Sequence, residues 1–182
     1  AAPELVLKSS EKFRDYAEDD GTFCGNYGSR MGLQLAAVAE RLKADPSSRQ
    51  AVIVLWSPSL DLMTQSKRDY PCTVGFQFLI RDEHLVMITN MRSNDCWLGL
   101  TFDVFQFTQL QLFLASCLGV PAGQYVHRPG SLHVYEDDAE QIRNLRLDTP
   151  VRGPIEETRR GLAAPGANPL YAVLAARQLL QG

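Results

Sequence analysis

YPCTVGFQFLIRDEHLVMITN, residues 70–90, places two apolar runs on either side of a short polar break. Val74 to Ile80 and His84 to Asn90 are rich in β-branched and aromatic residues, which predicts two strands joined by the turn Arg81-Asp82-Glu83. Pro71 interrupts regular structure just before the first strand and leaves Cys72 at the hinge. A cysteine in that place has two readings. It is a small hydrophobe filling a gap, or a nucleophile at the mouth of a pocket. The second reading needs a cation, a helix N-terminus or a base nearby to favour the thiolate. Lys67 and Arg68 are the nearest cations in sequence.

Outward from this hairpin, Gln50 to Trp56 (QAVIVLW) is almost wholly apolar and reads as a buried strand. Gly32 to Lys43 repeats its apolar residues at helical spacing and stops at Asp45-Pro46. Asp103 to Leu118 does the same, with Asp103 in the position of an N-cap and Gly119 in that of a C-cap glycine. Short strands are expected at Gln124–His127 and Leu132–Tyr135, around Pro129-Gly130. Glycines punctuate a loop at Gly25-Asn26-Tyr27-Gly28. After Asp148 the chain is rich in Pro, Gly and Ala and closes on a predicted amphipathic helix, Leu170 to Leu180. Neither an internal repeat nor a low-complexity tract breaks residues 1–182, which read as one α+β domain around a mixed sheet.

Composition narrows the function. A hydrophobic share of 45% and a charged share of 21% are those of a globular domain. The net charge of −3 argues against a nucleic-acid or membrane-surface partner, which would need a basic stripe. No apolar run approaches the ~18–20 residues of a membrane span, and AAPELVLKSSEKF lacks the pattern of a secretory signal. Cys24, Cys72, Cys96 and Cys117 form no CxxC pair, so their spacing suggests neither a metal site nor a disulfide framework, and a reducing cytoplasm is the expected compartment. A local anion site remains open. Arg92-Ser93 and Ser47-Ser48-Arg49 each sit just outside a predicted strand and together offer two guanidinium forks and three hydroxyls. Each also reads as a solvated strand end. Asp95 reads as a turn residue, and His133 and Tyr135 alternate onto one strand face, either half-buried or ready to hydrogen-bond a sugar.

In order along the chain, GTFCGNYG, DPSSRQAVIVLW, YPCTVGFQF, MRSNDCWLGLTFDVFQFTQL and GVPAGQYVHRPGSLHVYEDDAEQI resemble five successive motifs of the thymidylate synthase family. The likeness covers residues ~15–145. It implies a mixed sheet flanked by helices and a homodimer through the sheet face. It also implies that Cys72 is the nucleophile that adds to C6 of a pyrimidine nucleotide, with 5,10-methylenetetrahydrofolate as one-carbon donor. By the same resemblance Arg92 and Ser93 hold the 5′-phosphate and Arg49 reaches it from the partner subunit. His133 and Tyr135 bind the sugar, Tyr27 belongs to the polar network beside the thiol, and Asp95, Trp97, Leu98 and Gly99 border the folate. The arginines at the phosphate are then expected to favour the Cys72 thiolate.

Departures from the pattern bear on specificity. Asp103 stands where the family reads the base with an asparagine. A carboxyl group accepts from the cytosine amine and, when protonated, donates to N3. This resembles the cytidylate and deoxycytidylate 5-hydroxymethylases, in which water captures the C5 methylene. The expected activity is therefore 5-hydroxymethylation of CMP or dCMP. The alternatives are a divergent thymidylate synthase acting on dUMP and an inactive nucleotide-binding paralogue. Gln50 replaces a second arginine, Thr73 the histidine after the nucleophile and Ser131 an acidic residue. Cys96 and Trp97 fill usually small positions. The family's N-terminal part, with its water-organising glutamate, has no counterpart in these residues, and 147–182 diverges from the family's closing segment.

Overall fold

The computed structural model describes residues 11–64 and 67–144; the expected helix at Leu170–Leu180 lies outside them. The hairpin at residues 70–90 forms the middle of a four-stranded sheet. Strands β1 (Val52–Val54), β2 (Thr73–Arg81), β3 (His84–Met91) and β5 (Ala122–Pro129) lie side by side in that order. β1 and β3 run antiparallel to β2, whereas β5 runs parallel to β3. A parallel neighbour needs a long crossover, and helix α4 (Gly99–Leu118), preceded by the short strand β4 (Asn94–Asp95), makes it. β4 pairs in parallel with β6 (Leu132–His133) in a second, two-stranded sheet.

The turn between β2 and β3 is tighter than expected. Arg81 still pairs with His84, and only Asp82 and Glu83 turn, with φ of 48° and 62°. Both central residues take positive φ, as a two-residue turn matched to the strand twist requires.

Phe76 and Phe78 of β2, Leu85, Met87 and Met91 of β3 and Ile53 of β1 point to one face of the sheet. Helix α2 (Gln34–Ala44) covers it with Val38 and Leu42, and α4 covers it with Phe107, Leu114 and Ala115. Gln111, also buried on α4, donates to the carbonyl of Leu85 at 2.7 Å and so pins the crossover helix to β3. On the other face Val52 and Val54 are exposed, and Leu79, Val86 and Ile88 are half-buried. Gln50–Trp56 is thus not buried on both faces. Only Val52–Val54 pairs, as an edge strand that alternates exposed and buried, and the short helix α3 (Pro58–Asp61) follows it.

Three further expectations are corrected. The Gly25–Gly28 loop is the cap and first residues of helix α1 (Tyr27–Met31), and the Asn26 side-chain Oδ1 accepts from the Gly28 N–H at 2.9 Å. Leu132–Tyr135 pairs only as far as His133, while β5 is longer than Gln124–His127. Helix α4 begins at Gly99 rather than at Asp103, so Asp103 lies inside it and caps nothing.

Candidate active site

Cys72 sits where β2 begins, just ahead of a register shift between Thr73 and Gly75 against β3. A bulge at a strand end turns the chain away from the ladder and re-aims its side chains. The hinge is held by one residue of β3's end. Arg92 N–H donates to the Cys72 carbonyl at 2.8 Å, and its Nε donates to the Pro71 carbonyl at 3.0 Å. The same guanidinium stacks over the Trp56 ring at 5.5 Å and places Nη2 3.8 Å from Cys72 Sγ. Tyr27, from α1, accepts the Thr73 N–H on its hydroxyl at 3.3 Å. Burial, with the Asp103 charge second, pushes the Tyr27 hydroxyl far up, so it stays a neutral phenol.

Arg92 does pull the Cys72 pKa down, as expected, but it does not set the balance. Burial pushes the thiol above its ordinary value. Arg92 pulls it back only in part, and Asp103 and Asp69 add to the upward shift. Desolvating a thiolate outweighs one exposed cation.

Asp95 organises the next turn of chain. Its Oδ1 accepts from the Trp97 N–H at 3.0 Å. Its Oδ2 accepts from the Leu98 and Gly99 N–H groups at 2.9 and 3.0 Å. Burial alone would raise this carboxyl, but the three N–H bonds prevail and hold it below the usual range. Asp95 therefore supplies the capping that the sequence ascribed to Asp103, and Oδ1 keeps one lone pair for a ligand donor. Beside it, Ser93 Oγ and His133 Nδ1 are 3.3 Å apart, and Tyr135 meets the His133 ring edge-on at 5.0 Å.

Asp103, one turn into α4, is half-buried. Burial raises its carboxyl to about 6, against the opposing bonds from Gln106 and Asn94. Its charge acts on both Cys72 and Tyr27, so it lies within electrostatic reach of each. Arg49 does not join them within this chain. β1 runs antiparallel to β2 with Val52 opposite Gln77, so Arg49 lies toward the end of β2 remote from Cys72, its carbonyl accepting from Gln77. Ser47 and Ser48 are committed locally: Ser47 bonds to Asp45 and Ser48 Oγ accepts the Gln50 N–H. The paired anion cradle inferred from the two segments is thus not assembled in one chain. A depression of about 750 Å³ lined by Arg30, Trp56 and Lys67 lies beyond Trp56 and does not include Cys72.

Sequence reasoning missed Asn94, His127 and Tyr125, which line up behind Asp103. Tyr125 and His127 alternate onto one face of β5, but nothing local in the sequence tied them to Asn94, 33 residues earlier.

Comparison with known proteins agrees with this architecture. The profile of the thymidylate synthase family matches residues 10–155. A deoxyuridylate hydroxymethyltransferase of Bacillus phage SP01 is 28% identical over 97% of this chain and 52% of its own. A thymidylate synthase of Listeria innocua is 28% identical over 82% of this chain and 52% of its own. Among solved structures, the thermostable thymidylate synthase A of Bacillus subtilis superposes with a TM-score of 0.65 at 28% identity, over 77% of this chain and 53% of that one. The mixed-sheet α+β fold is what the chain shares with the solved relative. The chain belongs to the thymidylate synthase family. It spans about half the length of the curated relatives it matches.

Proposed function

We propose that this chain provides the nucleotide site of a folate-dependent enzyme that hydroxymethylates C5 of a cytidine monophosphate, CMP or dCMP. One observation supports the choice of base: the half-buried carboxyl of Asp103, raised to about 6, lies within electrostatic reach of Cys72 at the place of the family's asparagine. Near neutrality it exchanges between carboxylate and acid, so it accepts from the cytosine amine and shares a proton with N3. Mispairing that edge with uracil costs about 1–3 kcal/mol per unsatisfied group.

The Cys72 thiolate bonds to C6, and C5 becomes the nucleophile. The donor, 5,10-methylenetetrahydrofolate, supplies a carbon at the oxidation level of formaldehyde. C5 bonds to that carbon, loss of the C5 proton expels tetrahydrofolate by breaking the carbon–nitrogen bond, water adds to the exocyclic methylene so formed, and the C6–Sγ bond breaks to return the thiolate. Arg92 and Ser93 bind the 5′-phosphate, and His133 and Tyr135 the sugar. Asp95 Oδ1 accepts an N–H of the pterin beside Trp97, Leu98 and Gly99. A homodimer through the open face of Val52, Val54, Leu79, Val86 and Ile88 brings Arg49 to the partner's phosphate, in keeping with its distance from Cys72 in its own chain. The free cysteines suit a reducing cytoplasm.

The test is incubation with methylenetetrahydrofolate and C5-tritiated CMP, dCMP or dUMP. Tritium release from a cytidylate without dihydrofolate is expected. Release from dUMP alone overturns the reading of the base. In that case the name of the phage relative favours hydroxymethylation of deoxyuridylate, and dihydrofolate formation would instead mark a thymidylate synthase.

A further inference from the structure

Behind Asp103 runs an unbroken file of hydrogen bonds through three elements. The Tyr125 hydroxyl lies 2.7 Å from His127 Nδ1, His127 Nε2 lies 2.8 Å from Asn94 Oδ1, and Asn94 Nδ2 lies 2.7 Å from Asp103 Oδ2. Tyr125 and His127 stand on β5, Asn94 on β4 and Asp103 on α4. Asn94 is buried and the other three are half-buried.

The direction of every bond follows from the two ends of Asn94. Its amide nitrogen faces a carboxylate oxygen and can only donate. Its carbonyl oxygen can then only accept, so His127 carries its proton on Nε2. A neutral imidazole has one N–H, which leaves Nδ1 as acceptor for the Tyr125 O–H. Burial lowers the pKa of His127 and so agrees with the neutral ring. The reverse polarity is also self-consistent. It needs a proton on Asp103 Oδ2, a flipped Asn94 amide and the Nδ1–H tautomer, with Tyr125 as final acceptor. The file therefore has two settings, and the tautomer of one histidine reports which is occupied. It does not conduct protons, because an amide passes none along.

Oδ1 of Asp103 is held differently. Its partner, Gln106 Nε2 at 2.8 Å, belongs to an exposed side chain that can turn to solvent and leave Oδ1 to a ligand. We propose that Asn94, His127 and Tyr125 are positioning residues that keep Asp103 Oδ2 an acceptor, so that the proton Asp103 shares with the base resides on Oδ1. This rests on Asp103 being the base-reading residue. The file then sets specificity, because a proton on Oδ2 would be spent on Asn94 and leave cytosine N3 without a donor.

Two measurements test it. Long-range proton–nitrogen NMR correlations on the protein assign the His127 tautomer. Nε2–H is expected, and Nδ1–H overturns the inference without any turnover being needed. The second is the ratio of kcat/KM for cytidylate over uridylate in four variants. His127→Phe keeps a ring against Phe107 but loses both nitrogens, and the ratio falls about tenfold. His127→Gln returns a donor to Asn94 and recovers most of the ratio. Tyr125→Phe, which removes only a hydroxyl, also lowers the ratio and keeps the test alive if His127→Phe does not fold. Equal losses on both nucleotides, or no recovery with Gln, reduce His127 to packing and refute the inference. Asp103→Asn separates the two readings: if it leaves the ratio unchanged, Asp103 does not read the base, whereas a change with Asp103→Asn but none with His127→Phe sinks the positioning file alone.

Discussion

Arg92→Met is the perturbation that most directly weighs what surrounds the thiol. Burial holds Cys72 above its ordinary pKa, so it is mostly neutral thiol at pH 7.5. Among the described residues Arg92 is the charge that lowers that pKa, from 3.8 Å. At an effective dielectric of about 20, two unit charges that close attract by roughly 4 kcal/mol. Arg92 is exposed, however, and exposed pairs yield only about 0.2–1 kcal/mol. The thiolate fraction should therefore fall by about 1.4- to 5-fold. Iodoacetamide alkylation, followed by peptide mapping, reads this directly, with Cys24, Cys96 and Cys117 as internal references. The Cys72 rate should drop by that factor at fixed pH and should climb without a plateau through pH 8.5. Arg92→Lys separates charge from geometry, because it keeps the cation but loses the Nε bond to Pro71. An unchanged or faster rate in Arg92→Met, or a plateau below pH 8 in the parent protein, would refute the balance of burial over charge.

Asp61 is fully covered by Arg30 (2.6 and 2.8 Å), the Ser57 N–H and Lys67, and the Arg30 bonds chiefly hold its pKa at about 2. Asp61→Asn strands two largely covered cations and should cost about 3–5 kcal/mol in denaturant titrations at pH 7. Because the folded pKa is depressed, the parent protein's share from Asp61, about 2 kcal/mol, is whole above pH 4 and lost as the pH falls through 2. Asp103 has the opposite sign. Its raised pKa means that the folded chain holds a proton the unfolded chain has released, so stability declines as pH rises from about 4 through 6. Asp103→Asn should remove that decline, a gain of up to about 3 kcal/mol at pH 8 that vanishes below pH 4. Asp95→Ala should cost about 1–2 kcal/mol in thermal melts by orphaning three N–H groups at the start of α4, with Asp95→Asn milder.

The central hairpin was legible because alternation and β-branched content are local properties of residues 74–90. The direction of β5 was not. A pattern of apolar residues marks a strand but says nothing about which neighbour it finds, and only the 20-residue crossover helix makes β5 parallel to β3. The start of that helix was misplaced for a chemical reason. Gly99 is a poor helix former, and an aspartate ahead of an apolar run has the pattern of a cap, so Asp103 drew the role that Asp95 fills four residues before Gly99. Cys72, Arg92, Ser93 and His133 could be chosen through the ordered motifs, and the structure brings Arg92 to Cys72 and Ser93 to His133. The Asn94–His127 contact could not be read, since neither residue departs from its local pattern.

What fixes Asp103 relative to Cys72 is less the polar chemistry than Phe107, one turn further along α4. Its buried ring meets Phe76 at 4.9 Å, edge-on, Tyr27 at 5.9 Å and His127 at 6.5 Å. Phe76 belongs to the strand that opens with Cys72's neighbour Thr73, Tyr27 accepts the Thr73 N–H, and His127 is a link in the file that ends at Asp103. One aromatic side chain thus meets the strand that follows Cys72, the phenol of Tyr27 and the imidazole behind the Asp103 carboxyl. Apolar packing is non-directional and cannot orient a carboxylate, whereas hydrogen bonds are directional but weak in setting distances over several residues. The site divides the two tasks accordingly: Phe107 sets the separation of Asp103 from Cys72, and Asn94 sets which oxygen of Asp103 is free to act.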